Sequence, residues 1–370
     1  MSYLITALAF FLLLTVLVLI HELGHYAMAR RAGVEVEEFG FGLPPRIRTL
    51  FWRGKTRFSL NAIPFGGFVR LKGENAVTER ERTARGSFAA ASFPARIAIL
   101  TAGVAMNFLF AILIFTIGFS VGRWVPTYLS YEAMRAAAEN GEIHMVPGVL
   151  IDEVIKGGAA ESLNLPLPSI LEKIDGHAVS SPEEVIPLQE GKKQVTYTLL
   201  SGKDFTVERT VVIALKDGKT GVSLRWYPRE LSAPSRSVFS ALRLAFREAG
   251  LMTVQTVYGM GELMRSLVTT ARIPEGITGI VGIAQLTNAS VQEGFMQYLR
   301  LVGLLSLSLA ALNILPLPAL DGGRLLFVLV ELVRGKPVNR TFELRTNAVG
   351  FALLLLLIVL ITYHDVARLF

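Results

Sequence analysis

Apolar residues gather in this chain into four blocks long enough to cross a bilayer. The first runs from Tyr3 to Ile20 without a charge. A helix begun there can continue through His21-Glu22-Leu23-Gly24-His25 to Arg30 and Arg31, with Gly33 to stop it. A cleaved signal peptide is the competing reading, but no basic segment precedes the block and no small-residue cleavage pattern comes after it. The second block, Ile97 to Val121, lies between Arg96 and Arg123. The third, Leu301 to Ala319, lies between Arg300 and Arg324. The fourth, Ala348 to Thr362, is short for a full span. A fifth stretch, Val238 to Val268, is interrupted by Arg243, Arg247, Glu248, Glu262 and Arg265. Charges at that frequency are expensive in hydrocarbon, so an amphipathic helix on the outer membrane surface is expected rather than a fifth span.

Between the second and fifth stretches the pattern changes to short β-rich runs, GVLIDEVI, QVTYTLL and TVVIAL, punctuated by Gly, Asp and Pro. Partial alternation over Arg57–Lys72, with Gly66–Gly67 inside it, predicts a hairpin dipping toward the membrane from the cytoplasmic side. A simple cytoplasmic loop is the alternative.

Composition agrees with a membrane protein: 52 % of the 370 residues are hydrophobic and 18 % charged, with mean hydropathy +0.48, which excludes disorder. The net charge of +7 would suit nucleic acid, but its distribution gives another explanation. The Arg30–Arg96 connection carries 13 Lys/Arg against 6 Asp/Glu and Arg324–Arg345 carries 5 against 2, whereas Arg123–Glu293 carries 17 against 19. The positive-inside rule then puts the first two connections in the cytoplasm and the long one outside, with both termini outside. No nucleic-acid partner is needed; the expected partner is the lipid bilayer.

There is no cysteine, so disulfides, thiolate zinc sites and a cysteine nucleophile are excluded, and His, Asp and Glu remain as metal ligands. His21 and His25, four apart on a helix, put both imidazoles on one face where they can bind one zinc, with Glu22 beside them as general base. In a soluble helix the same letters would more often be two surface histidines and an acid. At the end of an apolar span such a cluster is costly unless coordinated. Catalytic zinc needs a third protein ligand and an open position. His144, His177 and His364 fall in or beside the exterior regions. Asp321, in LNILPLPALDGGR, sits just before Arg324 at the cytoplasmic end of the third block, and His25 is similarly near Arg30. The two motifs therefore reach similar depth on one side. Pro316 and Pro318 break the third helix ahead of Asp321, and Gly322–Gly323 allow a tight turn after it. Asn313 and Asn107 are amides in spans, for which helix–helix hydrogen bonding is a sufficient explanation.

HELGH in the first span and LNILPLPALDGG in the third resemble the two signature motifs of the site-2 protease family of intramembrane zinc metalloproteases, in particular its bacterial regulator-of-sigma-E branch. The likeness extends to GFG at Gly40–Gly42, LNAIPFGGFVRLKGE from Leu60 to Glu74, AGVAMNFLFA in the second span and ITGIVGIAQ before the third. The resemblance implies one zinc per chain held by His21, His25 and Asp321, Glu22 as catalytic base, and Asn313 engaging substrate. It also implies that the hairpin around Gly66 and Gly67 offers an edge strand to the unwound substrate. Substrates implied are single-span transmembrane proteins, such as trimmed anti-sigma factors or signal-peptide remnants, and the location implied is the bacterial cytoplasmic (inner) membrane.

The expected architecture is thus a polytopic α-helical membrane protein of about four transmembrane helices, with a membrane-associated β-hairpin and an inserted, PDZ-like, β-rich extracytoplasmic domain. Its expected parts are residues 1–123 and 296–370 as the protease core, 142–228 as the PDZ-like domain and 235–295 as an amphipathic helical region. Where the family often has glycines before the turn at Ile170–Gly176, this chain has Pro166 and Pro168, which lack amide donors. Peptide binding at that edge is thereby in doubt, and a steric gate is the alternative. A non-catalytic adaptor with structural zinc is the competing function. Glu22 argues against it, since a structural site needs no base.

Overall fold

The computed structural model describes residues 3–367, apart from Val77, Lys203, Ala271 and Glu275. In chain order the elements are α1 (Tyr3–Arg31), β1 (Val36–Arg53), β2 (Thr56–Leu71), α2 (Glu79–Thr83), α3 (Phe93–Ser120), α4 (Tyr131–Glu139), β3 (His144–Val154), β4 (Ser169–Ile174), β5 (His177–Ala178), α5 (Pro182–Gln189), β6 (Gln194–Ser201), β7 (Val207–Ala214) and β8 (Val222–Ser232). The remaining elements are α6 (Val238–Thr269), α7 (Ile280–Glu293), α8 (Phe295–Asn313), α9 (Asp321–Arg334) and α10 (Arg340–Ala367). The chain divides into two compact units, residues 1–122 with 237–370, and residues 123–236.

In the first unit, α1, α3, α8 and α10 are the four helices long and apolar enough to cross a membrane among the described residues. α1 carries the first apolar block and HELGH without a break and stops where Gly33 turns to φ +74°. The third span differs from expectation at both ends: it begins at Phe295 and is over by Asn313. The prolines remove amide donors and clash with the preceding turn, so the chain leaves the helix there and starts afresh at Asp321. The fourth is 28 residues, longer than its apolar block, because its first two turns are polar. α6 is one continuous helix whose Ala241, Leu244, Ala245, Glu248 and Ala249 are buried. Small side chains let it lie close against its neighbours, and Arg300 of α8 stands 3.9 Å from Glu248.

Arg57–Lys72 is not a hairpin by itself. All but Lys72 fall in β2, whose partner is β1, and the turn between the strands is at Gly54–Lys55. Both strands are bent, so β1 residues Glu38–Phe41 pair with Arg57–Leu60 on one side and with Gly67–Arg70 on the other. The two halves of β2 therefore flank β1 instead of pairing with each other. Alternation within Arg57–Lys72 reveals the strand but not its partner, which lies upstream. Tyr26 of α1 meets Phe39 and Phe58 edge-on at 5.7 and 5.8 Å, docking the sheet on the helix that carries HELGH. Glu38, 3 % exposed, is ringed by Arg57, Arg70 and Arg46 at 2.9, 3.5 and 3.6 Å, so its charge is compensated where burial alone would oppose it.

The second unit is a sheet in the order β7-β6-β4-β3-β8, with β5 beside β4. Its core is Val149, Ile151, Leu171, Ile174, Leu199 and Ile213, with Tyr197 among them. β6 alternates buried and exposed positions, as a half-buried strand must. Pro166 and Pro168 precede β4, which has β3 and β6 on its two sides. They occupy no sheet edge, and the expected loss of amide donors at an edge is corrected: the edges are β7 and β8.

Burial pushes the Tyr197 phenol up to about 12, against hydrogen bonds with Thr220 and Gln189. The folded state thus holds the phenolic proton more tightly than the unfolded chain, whose value is 10.0. Its contribution is complete below pH 10 and is lost as pH rises toward 12. A rise of that size corresponds to roughly 3 kcal/mol. Thermal melts of the full-length protein across that window, followed by strand circular dichroism, are expected to show this alkaline loss, and Tyr197→Phe to reduce it. A pH-independent midpoint in the wild type would contradict the assignment.

Candidate metal and catalytic site

The site forms where four helices, α1, α3, α8 and α9, and one strand, β2, meet. On α1, His21 and His25 are buried one turn apart, and their rings pack edge to face at 4.8 Å. Asp321, at the first position of α9, brings Oδ2 to 2.9 Å from His21 Nε2 and 3.1 Å from His25 Nε2, and the two Nε2 atoms are 3.1 Å apart. Among the described residues this trio is the group that could hold a metal ion. The fold thus brings His21 and Asp321, 300 positions apart in the chain, to within 2.9 Å of each other.

The donor chemistry fits zinc. His25 Nδ1 lies 2.8 Å from the Ile99 carbonyl, which can only accept, so Nδ1 carries a hydrogen and, in the neutral ring that binds metal, Nε2 presents a lone pair. In that neutral ring the lone pair faces a carboxylate oxygen at 3.1 Å, an arrangement that a metal ion between them satisfies and that otherwise takes a proton on Nε2. Tetrahedral zinc with bonds of about 2.0–2.1 Å keeps its ligand atoms roughly 3.3 Å apart, close to the spacing of this trio.

The backbone around α9 is shaped to deliver Asp321. Segment 314–320 lies directly on the first turn of α9: a Cβ on Gly322 would stand 2.1 Å from the Leu315 carbonyl oxygen, and one on Gly323 would stand 2.3 Å from that of Leu317. The two glycines thus serve close approach more than the turn expected of them. Ala319 is left-handed at φ +73°, and its amide donates to Asn347 Oδ1 of α10 at 3.2 Å. A non-glycine residue in that region is strained, and such strain collects at functional sites.

α3 closes the opposite wall. Gly24 of HELGH has no room for a Cβ, which would lie 2.3 Å from the Ala102 carbonyl oxygen. On α3, a Cβ at Gly103 would lie 2.5 Å from His25 Nε2 and 2.8 Å from His21 Nε2. Neither glycine stands out in the sequence, where AGVAMN is no more than a likeness. Their spacing from the histidines cannot be read without knowing that α1 and α3 touch.

Glu22 is half-buried beside the trio. It lines a cavity of about 320 Å³ together with His25, Val69, Glu74, Asp321 and Arg324. The Val69 backbone amide lies close to its carboxylate. Gly67 of the same strand faces α1, the Cβ direction pointing to Leu19 at 3.0 Å and Glu22 Cγ at 3.9 Å. Gly66, at φ +70°, contacts Val18. Asn313 ends α8 with Nδ2 3.4 Å from His21 Nε2. All the expected site residues are therefore gathered here, while His144, His177 and His364 lie outside the trio.

Two charged residues of the site, Glu74 and Arg324, are paired in a way the sequence does not show. Arg324, one turn beyond Asp321, donates to Glu74, whose carbonyl accepts from Arg340 at 2.7 Å. This junction ties the exit of β2 to α9 and α10. A second cavity, about 810 Å³ and mainly apolar, lies among α6, α8 and α10 and reaches Asn313 and Leu320.

The peptidase family M50 model matches residues 9–357. The chain belongs to peptidase family M50. Among M50 relatives, a zinc metalloprotease RasP from Geobacillus kaustophilus is 26 % identical, covering 98 % of each chain. RasP from Bacillus licheniformis is 25 % identical over 99 % of each. A Fusobacterium nucleatum protein, provisionally named a zinc metalloprotease, is 29 % identical over 97 % of each. As an M50 (site-2 protease) member the chain is a zinc metalloprotease with zinc as its cofactor. Its four apolar helices make it a multi-pass membrane protein with a separate β-sheet unit.

Proposed function

We propose that this protease cuts single-span membrane proteins within or near their spans, in regulated intramembrane proteolysis, with zinc on His21, His25 and Asp321. The single observation that carries the proposal is the convergence of those three donors beside Glu22 at the end of an apolar helix. When bound, zinc supplies Lewis acidity, lowering the pKa of water and polarising a carbonyl. Glu22 takes the proton of the attacking water and returns it to the leaving amine. A transmembrane helix hides its carbonyls in its own hydrogen bonds, so the substrate must be unwound first. The strand at Gly66–Leu71, passing beside Glu22, is suited to hold the unwound segment extended by strand addition. Asn313, within reach of the same point, engages the substrate backbone.

The excess of Lys/Arg over Asp/Glu in Arg30–Arg96 and Arg324–Arg345 supports a cytoplasmic position for those loops. Both termini and the sheet unit then lie outside, in a bacterial inner membrane. That unit is read as PDZ-like, with β8 as the edge open to an added peptide strand.

The test uses full-length protein in lipid vesicles with a labelled single-span substrate, stripped of metal by chelation and then resupplied with zinc. Cleavage is expected to vanish and return, and mass spectrometry is expected to map the cut within or next to the span. Cuts confined to water-exposed segments, or equal turnover of a detached soluble peptide, would refute the substrate class.

A further inference from the structure

α3 presents one stripe to the metal trio. Ile99, Gly103 and Asn107 recur every four residues and so lie on one face of the helix. Ile99 offers its carbonyl to His25 Nδ1 at 2.8 Å. Gly103 leaves the space into which both Nε2 atoms point. Asn107, fully buried, reaches 3.5 Å from His21 Nδ1.

We propose that Asn107 is the positioning residue of His21, accepting the Nδ1 hydrogen and thereby directing the Nε2 lone pair at the zinc. The inference rests on the zinc site proposed above. Three observations carry it. First, His21 offers Nε2 to the trio, so its hydrogen must be on Nδ1 and needs an acceptor. Among the described residues Asn107 is the polar side chain within reach of that atom. Second, Asn107 Oδ1 is buried with no partner while Nδ2 faces His21. The two ends of a primary amide have the same shape, and the orientation with oxygen toward Nδ1 gives the imidazole an acceptor and the oxygen a donor. Third, the competing role of Asn107 as a helix–helix link is already filled by its backbone. Ser306 Oγ of α8 donates to the Asn107 carbonyl at 2.9 Å, a bond that does not involve the side chain. α3 would then hold both imidazoles in the same manner, by a main-chain acceptor for one and a side-chain acceptor for the other.

The experiment compares Asn107→Leu, Asn107→Ala and Asn107→Asp in the full-length protein, with Asp321→Asn as control. Zinc affinity is read by competition with a chelator, alongside kcat and KM for a single-span substrate and the melting midpoint of the metal-free protein. Removing the acceptor is expected to weaken zinc binding about 10–100-fold in Leu and Ala, with KM and the metal-free midpoint near wild type. Asp, which keeps an acceptor at the same place, is expected to return affinity to within a few-fold. Wild-type affinity in Leu and Ala, or equal loss in all three variants, would overturn the proposal. If Leu fails to fold, the contrast between Ala and Asp decides. Asp321→Asn separates the two levels. Zinc lost there but kept in Asn107→Ala leaves the site standing and removes Asn107's role. Zinc kept in Asp321→Asn overturns the site itself.

Discussion

Glu22→Gln is expected to lower kcat by about 10²–10⁴-fold while zinc content stays at one per chain and KM is unchanged. Gln has the shape of Glu, so packing in the 320 Å³ cavity is preserved. What it lacks is a basic oxygen able to take a proton from water. Glu22 is not among the trio that could hold metal, so the change removes proton transfer without removing a ligand. Metal analysis by mass spectrometry beside single-turnover kinetics in vesicles checks both halves. Unchanged kcat would exclude Glu22 as the base. Loss of zinc with activity would make it a ligand instead.

The second large effect comes from a methyl group. Gly103→Ala places a carbon 2.5 Å from His25 Nε2 and 2.8 Å from His21 Nε2, nearer than non-bonded carbon and nitrogen can stand. Either the methyl displaces the imidazoles or α3 backs away from α1. That retreat is resisted because α3 also packs on α8, where Gly303 meets Ile114 and Phe115 with no room for a Cβ. Zinc affinity is expected to fall by at least about 10²-fold, the upper range for disturbed metal surroundings, with cleavage falling alongside. Ala105→Leu, on the exposed side of the same helix, is expected to leave both intact, which separates filling of the site from general damage to α3. Full zinc occupancy and normal cleavage in Gly103→Ala would mean that the metal does not sit between these imidazoles.

The four spans and HELGH are legible in the sequence because hydropathy over about 20 residues and the i, i+4 helical repeat are local signals. Asp321 is legible for a different reason: Pro316 and Pro318 fix where the third span ends, and Arg324 fixes the depth of the segment between them. Long-range pairing is not legible. β1 gives no sign that Glu38–Phe41 lies between the halves of β2, since alternation identifies a strand's faces and not its neighbours. The stripe Ile99, Gly103, Asn107 is hidden likewise, because its meaning depends on which face of α3 meets α1. Hydropathy underestimates the extent of α10 since Arg340–Asn347 is polar, yet Arg340 donates to the Glu74 carbonyl and Asn347 accepts from the Ala319 amide. Helix length there is set by partners that hydropathy does not record.

Asp321 comes 300 positions after His21, with the whole sheet unit between them. At roughly 5–20 residues per second, some 15–60 s of synthesis separate the first donor from the last. On the zinc assignment proposed above, a nascent chain in that interval holds two histidines and a base but no third donor, and so is expected not to act on itself or on its neighbours in the insertion machinery. On that assignment activity is expected only once α9 emerges, after all but one of the spans has been made. The order of the motifs along the chain thus acts as a timer, keeping a membrane protease silent throughout nearly all of its own biogenesis.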